Sequence, residues 1–335
     1  MTGSRHRWSP RAACAALAIA ICAAPAARAS CGSASCFLVT TSEQGIQAPG
    51  SFQVDLSFRY VDQTRKLEGS DETSEVLVPA VDFEERAIEP DHHREVGTRS
   101  SAVNLALGYG LTPRLSLFGI LPLSVDKRHE HFDDAGTPDE TFSNDDGGRG
   151  FGDVAVGARL GLLVRKNDLL LASASLKLPT GDYRLRDSEG AIGEPTLQPG
   201  SGSYDGTIAV QYVYHPFPSA WEWFVSGSYR RDGRNPLEYR IGDESIVSGG
   251  FSRATSGNWT WSLQVNARHA ARDDYRGMSV PSTGSDAVVI TPGARLRAGD
   301  ALELYGHVQV PLVQRVNDAQ LAPRAGLVLG LTRTF

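Results

Sequence analysis

Half of the eight histidines in this 335-residue chain fall in two short stretches crowded with carboxylates. Asp91-His92-His93-Arg94-Glu95 and His129-Glu130-His131 offer imidazole nitrogen beside carboxylate oxygen, a donor set that suits Zn²⁺, Cu²⁺ or Ni²⁺. His92, His93, His129 and His131 could therefore hold a divalent ion if the fold brings the two stretches together. Otherwise they are solvated loops with salt bridges to Arg86, Arg94, Lys127 and Arg128. Acidic residues crowd the same regions, between Glu68 and Glu95 and again from Asp133 to Asp146. His269 and His307 are the remaining histidines that could serve a nucleophile. Neither is followed by a Ser-Asn-Gly sequence that would supply one, so no catalytic residue is assigned.

The N-terminus reads as an export address. Arg5, Arg7 and Arg11 precede an apolar run from Ala12 to Ala24, and Ala27-Arg28-Ala29 supplies small residues for cleavage before Ser30. The run is shorter than the roughly 20 residues a spanning helix needs. Acylation at Cys31 is the alternative, with Arg28 an unfavourable lead-in. Loss of residues 1–29 leaves 29 basic against 39 acidic residues, a net charge of −10. Such a chain has no basic patch for nucleic acid. Cys14 and Cys22 leave with the leader, while Cys31 and Cys36 remain in an oxidising compartment where a small disulfide loop is expected. A metal pair is the other reading, but no second cysteine pair or nearby histidine completes it.

The elements that must position these residues alternate with a period of two. Phe52, Val54, Leu56, Phe58 and Tyr60 share one face, with Gln53, Asp55, Ser57 and Arg59 on the other. Trp259, Trp261, Leu263, Val265 and Ala267 likewise oppose Thr260, Ser262, Gln264, Asn266 and Arg268. Twelve such segments occur, at about 51–62, 99–110, 114–126, 152–164, 168–179, 204–215, 221–231, 242–253, 258–270, 285–297, 300–311 and 324–335. Short turns at 111–113, 165–168, 216–220, 256–258 and 298–300 alternate with long polar connections. That parity, with an even strand count, is the pattern of an all-β transmembrane antiparallel up-and-down barrel: short periplasmic turns, long extracellular loops. Tyr109, Tyr214, Trp221, Trp259 and Phe335 fall near one rim and Tyr60 and Tyr229 near the other, as interfacial girdles do. Arg59, Arg159, Lys177, Gln211, Gln264, Arg268, Arg295, Glu303 and His307 then line a lumen, where water accommodates polar groups that a dry core would reject.

Two stretches carry a resemblance. Lys177-Leu178-Pro179-Thr180-Gly181-Asp182 resembles the LPTGD motif of the meta-pathway phenol-degradation family of outer-membrane proteins, and Gly150-Phe151-Gly152-Asp153 is similar to the glycine-aspartate segment that accompanies it. The resemblance implies a bacterial outer-membrane barrel passing small, often hydrophobic or aromatic molecules, with no cofactor and no catalytic residue. The residues themselves, apart from the resemblance, give the expected organisation: a cleaved leader (1–29), a disulfide-closed periplasmic segment or plug (30–50) and the barrel (51–335). Partners are then membrane lipid, lipopolysaccharide, the solute and the barrel-assembly machinery, whose signal a terminal Phe335 after Leu327, Leu329, Leu331 and Arg333 resembles. The competing classes are an outer-membrane lipid hydrolase and a surface-binding barrel with metal-binding outer loops. The loops are poor in the aromatic residues that binding surfaces favour.

Overall fold

The structure, a computed structural model, describes residues 45–144, 146–187, 190–299 and 301–335. The expected leader and the Cys31–Cys36 pair lie outside the described residues.

Twelve strands form one closed barrel: β1 Phe52–Gln63, β2 Ala87–Thr112, β3 Leu115–Asp133, β4 Ala155–Val164, β5 Asp168–Lys177, β6 Asp205–Tyr214, β7 Trp221–Arg231, β8 Glu244–Ala254, β9 Trp259–Ala270, β10 Ser285–Arg297, β11 Leu302–Val316 and β12 Ala325–Thr334. Each pairs antiparallel with its neighbour in the chain, and β12 returns to β1 with Leu331 opposite Leu56. Closure leaves no strand edge in lipid, so the ladder satisfies the backbone groups that hydrocarbon cannot. The chain ends are tied into the same ladder: Phe335 N donates to Phe52 O at 2.8 Å and Phe52 N to Phe335 O at 3.1 Å. The Arg333 guanidinium lies over the Phe335 ring, 4.7 Å from its centroid, so this charge is shielded by the neighbouring aromatic.

All twelve expected segments are strands, but β2, β3 and β11 run well past the apolar belt. About 9–11 residues cross a bilayer, whereas β2 has 26. Residues 87–98 and 127–133, expected in loops, are therefore strand. Their alternation is hidden because both faces are polar: the outward face carries Arg99, whose Nη1 lies 2.9 Å from Glu130 Oε1, and the inward face carries His129 and His131. An exposed ion pair at this level also marks where lipid ends.

The outer connections fold over the mouth. Leu77–Asp82 pairs with the extension of β2, Thr141–Ser143 with that of β3, and Arg65–Glu68 with Ala319–Ala322. Tyr239–Arg240 pairs with Asp274–Tyr275, and Tyr239, Tyr275 and Val280 pack against Val81, Phe83, Ile88 and Ile241. Full burial of a side chain such as Val280 stabilises the cap by roughly 1.5–3 kcal/mol, and the partly buried ones contribute less.

Within the belt the outward face is apolar and the inward face carries side chains fitted to their neighbours. Tyr109, Tyr214, Trp259 and Phe335 are exposed at the short-turn rim and Tyr229 at the other. Trp221 is half-buried and stacks on Trp223 with centroids 6.0 Å apart. On the inner face Tyr305 of β11 crosses Gly330 of β12 and donates its hydroxyl hydrogen to Asp55 of β1 at 3.0 Å. Thr332 Oγ1 donates to the same carboxylate at 2.6 Å. A Cβ on Gly330 would come within 2.4 Å of the Tyr305 ring, so only glycine admits this crossing. Gly330→Val should destabilise the barrel by about 1–3 kcal/mol through overpacking. Urea unfolding of the detergent-solubilised protein checks it, with Gly227→Val, which faces open space, expected to match the wild type.

Candidate functional site

The inward face is built from charges that meet opposite charges. Arg268 Nε lies 2.6 Å from Glu244 Oε2, and Arg230 Nη1 lies 3.2 Å from Glu244 Oε1. Arg59 adds its field to the same carboxylate. Arg295 pairs with Glu303 at 3.4 Å, the Arg159 guanidinium lies 4.4 Å from the Phe118 ring centroid, and the His307 ring lies over Gly293. Gln211 and Gln264 face inward on β6 and β9. Several of the inward charges thus meet partners across the barrel interior. Val61, Ala287 and Val289 moreover form a buried apolar cluster inside the barrel, at 2%, 4% and 0% exposure. Arg230, Arg268 and Arg295 are tolerable here because carboxylates face them, while Arg159 rests on the Phe118 ring. Glu244, Asp55, Asp153 and Asp205 are the counter-charges that sequence reasoning missed. Their inward parity was visible for Asp55 alone, since the others stand at strand starts where alternation is not yet established.

Lys177 is the centre of a second network. Its Nζ lies 2.7 Å from Asp153 Oδ2 and 2.6 Å from Asp205 Oδ2, and it also donates to Ser201 Oγ. Asp153 accepts from Gly181 N at 2.9 Å and from Ser201 N at 2.8 Å. Thr180 Oγ1 accepts from Val154 N at 2.8 Å. A Cβ on Gly181 would lie 2.7 Å from Phe151 O, so the close approach of these segments requires glycine. Lys177-Leu178-Pro179-Thr180-Gly181-Asp182 and Gly150-Phe151-Gly152-Asp153 therefore form one clasp, completed by residues 199–203. Their joint role is to fix the 178–204 connection over the mouth. Lys127 holds the same connection, donating to Thr196 O at 2.7 Å and Gln198 O at 2.8 Å.

Two cavities lie beneath this cap. The inner, of about 100 Å³, is bounded by Val78, Pro79, Val280, Pro281 and Leu321, with Glu95 and Thr98 on its polar side. The outer, of about 250 Å³, is bounded by His92, His93, His131 and Asp133. Val81, His129, Glu194 and Leu197 border both.

The structure brings all four clustered histidines together as a row of rings, with centroids 4.7 Å apart from His92 to His93, 4.5 Å from His93 to His131 and 4.6 Å from His131 to His129. They point inward from β2 and β3 rather than into solvent: His129 and His131 are 2% and 3% exposed. The arginines expected beside them turn elsewhere, Arg86 to Glu238 and Arg94 to Glu140. Burial opposes charge on His93, but hydrogen bonds to Asp133 and Glu194 outweigh it and raise its pKa to about 10. Burial likewise opposes ionisation of Asp133, yet hydrogen bonds from His93 and the charge of His131 hold it down to about 2.

On the outer wall the register sets Tyr229, Ser245, His269, Asp286 and Arg315 in one outward row across β7 to β11. His269 Nδ1 lies 2.9 Å from Asp286 Oδ1. At the opposite end Gln47 Nε2 donates to Gln53 Oε1 at 3.0 Å, and Gln47 and Ile46 pack against the inward Gly108 and Gly161.

Asp232, just beyond β7, carries the clearest pH signature outside this cluster. Burial, with the Asp205 carboxylate hydrogen-bonded to it, outweighs Arg230 and pushes its pKa from 3.8 up to about 8. The folded chain then binds more protons than the unfolded one between those values, so this group's contribution to stability falls as pH rises from about 4 to about 8. Asp232→Asn should remove that slope, its stability relative to wild type rising across the window and levelling above it. Unfolding midpoints measured at pH steps check the difference.

A family model described as "Putative MetA-pathway of phenol degradation" matches residues 38–312. No curated protein matches the chain. Among solved structures, the COG4313 outer membrane channel from Pseudomonas putida F1 superposes with a TM-score of 0.61 at 14% identity, covering 89% of this chain and 100% of that one. A deletion mutant of the monoaromatic hydrocarbon channel TodX gives 0.44 at 10% identity over 92% and 97% of the two chains. The Ralstonia pickettii toluene transporter TbuX gives 0.42 at 10% identity over 86% and 90%. With the family model spanning most of its length and the fold closed as an outer-membrane barrel, the chain belongs to the putative MetA-pathway phenol-degradation family.

Proposed function

We propose that this barrel passes small hydrophobic or aromatic molecules across the bacterial outer membrane without an energy source. The observation that carries the reading is the pair of adjoining cavities under the cap, of about 100 and 250 Å³. A cavity near 150 Å³ is about what a single aromatic ring occupies. Apolar side chains bound the inner cavity, and the family description connects the fold with phenol degradation. Export through the 1–29 leader, a Cys31–Cys36 disulfide and seating of residues 30–50 in the periplasmic mouth belong to the same reading. The inward contacts of Ile46 and Gln47 support that seating. Lipid and lipopolysaccharide would meet the outward charges Arg99, Asp126, Arg128 and Glu130, and assembly would use the β12 terminus.

One observation favours a second reading, lipid-ester hydrolysis: Ser245 stands opposite His269, whose other side meets Asp286, on the lipid-facing wall. A serine, a histidine and a carboxylate in that order are the parts of an acyl-transfer nucleophile. The two readings separate in one preparation. Proteoliposomes should admit phenol-sized aromatics faster than sugars of similar mass, and deletion of residues 30–48 should raise conductance in planar bilayers. Fluorophosphonate labelling that vanishes in Ser245→Ala, without solute entry, would replace the channel by the hydrolase.

A further inference from the structure

The histidine row contains a set of donor atoms that converge on one point. His93 Nε2 lies 3.1 Å and His131 Nε2 lies 2.7 Å from the same atom, Asp133 Oδ1. Asp146 Oδ2 stands 3.8 Å from His131 Nε2. Four ligands in a tetrahedron around a metal at bond lengths of about 2.1 Å are about 3.4 Å from one another. Three of the six edges are thus 2.7, 3.1 and 3.8 Å, and His131, Asp133 and Asp146 each offer a ligand atom within 4.8 Å of the other two, with Asp133 shared by His93.

Two further observations point to a ligand. His131 is 3% exposed and turns its Nε2 to Asp133 and Asp146, its Nδ1 having no hydrogen-bond partner among the described residues; His129, 2% exposed, is held instead by Thr98 and by Glu95, 3.4 Å from its Nε2. Both histidines border the 250 Å³ cavity, which has room for an ion and its waters. The outer nitrogen of His93 is already oriented as a ligand's would be, with Nδ1 3.1 Å from Glu194 Oε1. A carboxylate behind a ligating imidazole fixes its tautomer and raises its basicity.

We propose that His93, His131, Asp133 and Asp146 bind one divalent transition-metal ion of the zinc class, with Glu194 orienting His93. Two imidazoles and two carboxylates form a nitrogen–oxygen set suited to Zn²⁺. His92 and His129 flank the site and are not ligands. Coordination uses neutral imidazole, so the ion takes the place of protons. Because the donors come from β2, β3 and the 134–154 connection, and Glu194 from the 178–204 connection, the ion latches the cap over the cavities. The site is independent of what the barrel passes.

Equilibrium Zn²⁺ binding to the full-length, detergent-solubilised protein tests this, with Co²⁺ as a spectroscopic probe. The expected result is one Zn²⁺ per chain and the visible absorption of four-coordinate Co²⁺. His93→Gln/His131→Gln should abolish both, and Glu194→Gln should weaken binding by about 10- to 100-fold. His215→Gln and His269→Gln, which alter histidines outside the cluster, should bind as wild type does. Heat-modifiable migration identifies variants that keep the barrel. Absence of stoichiometric binding by the wild type would overturn the proposal whatever the variants do. Equal affinity in a folded double variant, or loss of binding in the His215 and His269 variants instead, would overturn it as well.

Discussion

Everything in this molecule depends on the requirement that no backbone N–H or C=O be left unpaired in hydrocarbon. A sheet meets it only by closing, and here β12 returns to β1 to do so. Closure then divides every strand into a face toward lipid and a face toward the axis. The outward face needs apolar side chains, and the inward face must accommodate whatever polar groups the alternation leaves.

Those inward groups are arranged as pairs, and this shapes the route through the barrel. Arg268 and Arg230 share Glu244, and Lys177 is shared by Asp153 and Asp205. Each pair lowers the cost of a buried charge while occupying lumen volume. Together with Val61, Ala287 and Val289 they narrow the interior, and the larger spaces lie above them, under the cap. Selection among solutes, on the proposed reading, would take place in that vestibule. The Lys177 clasp and the Lys127 bonds that hold the 178–204 connection therefore matter to function although they touch neither cavity's apolar wall.

Much of the barrel was legible because its constraint is local. Trp259, Trp261 and Val265 announce a lipid-facing strand face without reference to any other strand, and a five-residue turn such as 216–220 forces adjacent strands to be antiparallel neighbours. The extensions of β2 and β3 were not legible, since Arg99 outside and His129 inside are both polar and give no contrast at a period of two. The clasp was half legible: two of its segments stood out as motifs, but nothing in their spacing shows that Asp153 accepts from Gly181 across 28 residues.

The sequence by itself determined the strand count, the orientation of side chains about the belt and the co-location of the two histidine stretches at one rim. Only the tertiary structure decided that His93 and His131 converge on Asp133, that Glu194 arrives from a connection about a hundred residues away, and that the row is buried. The physical reason is the difference between periodic and point constraints. A lipid-facing strand repeats its demand every second residue and so writes it into composition. A convergence of donor atoms depends on register between strands and on how the outer connections fold back, and these are fixed by contacts among residues distant in the chain.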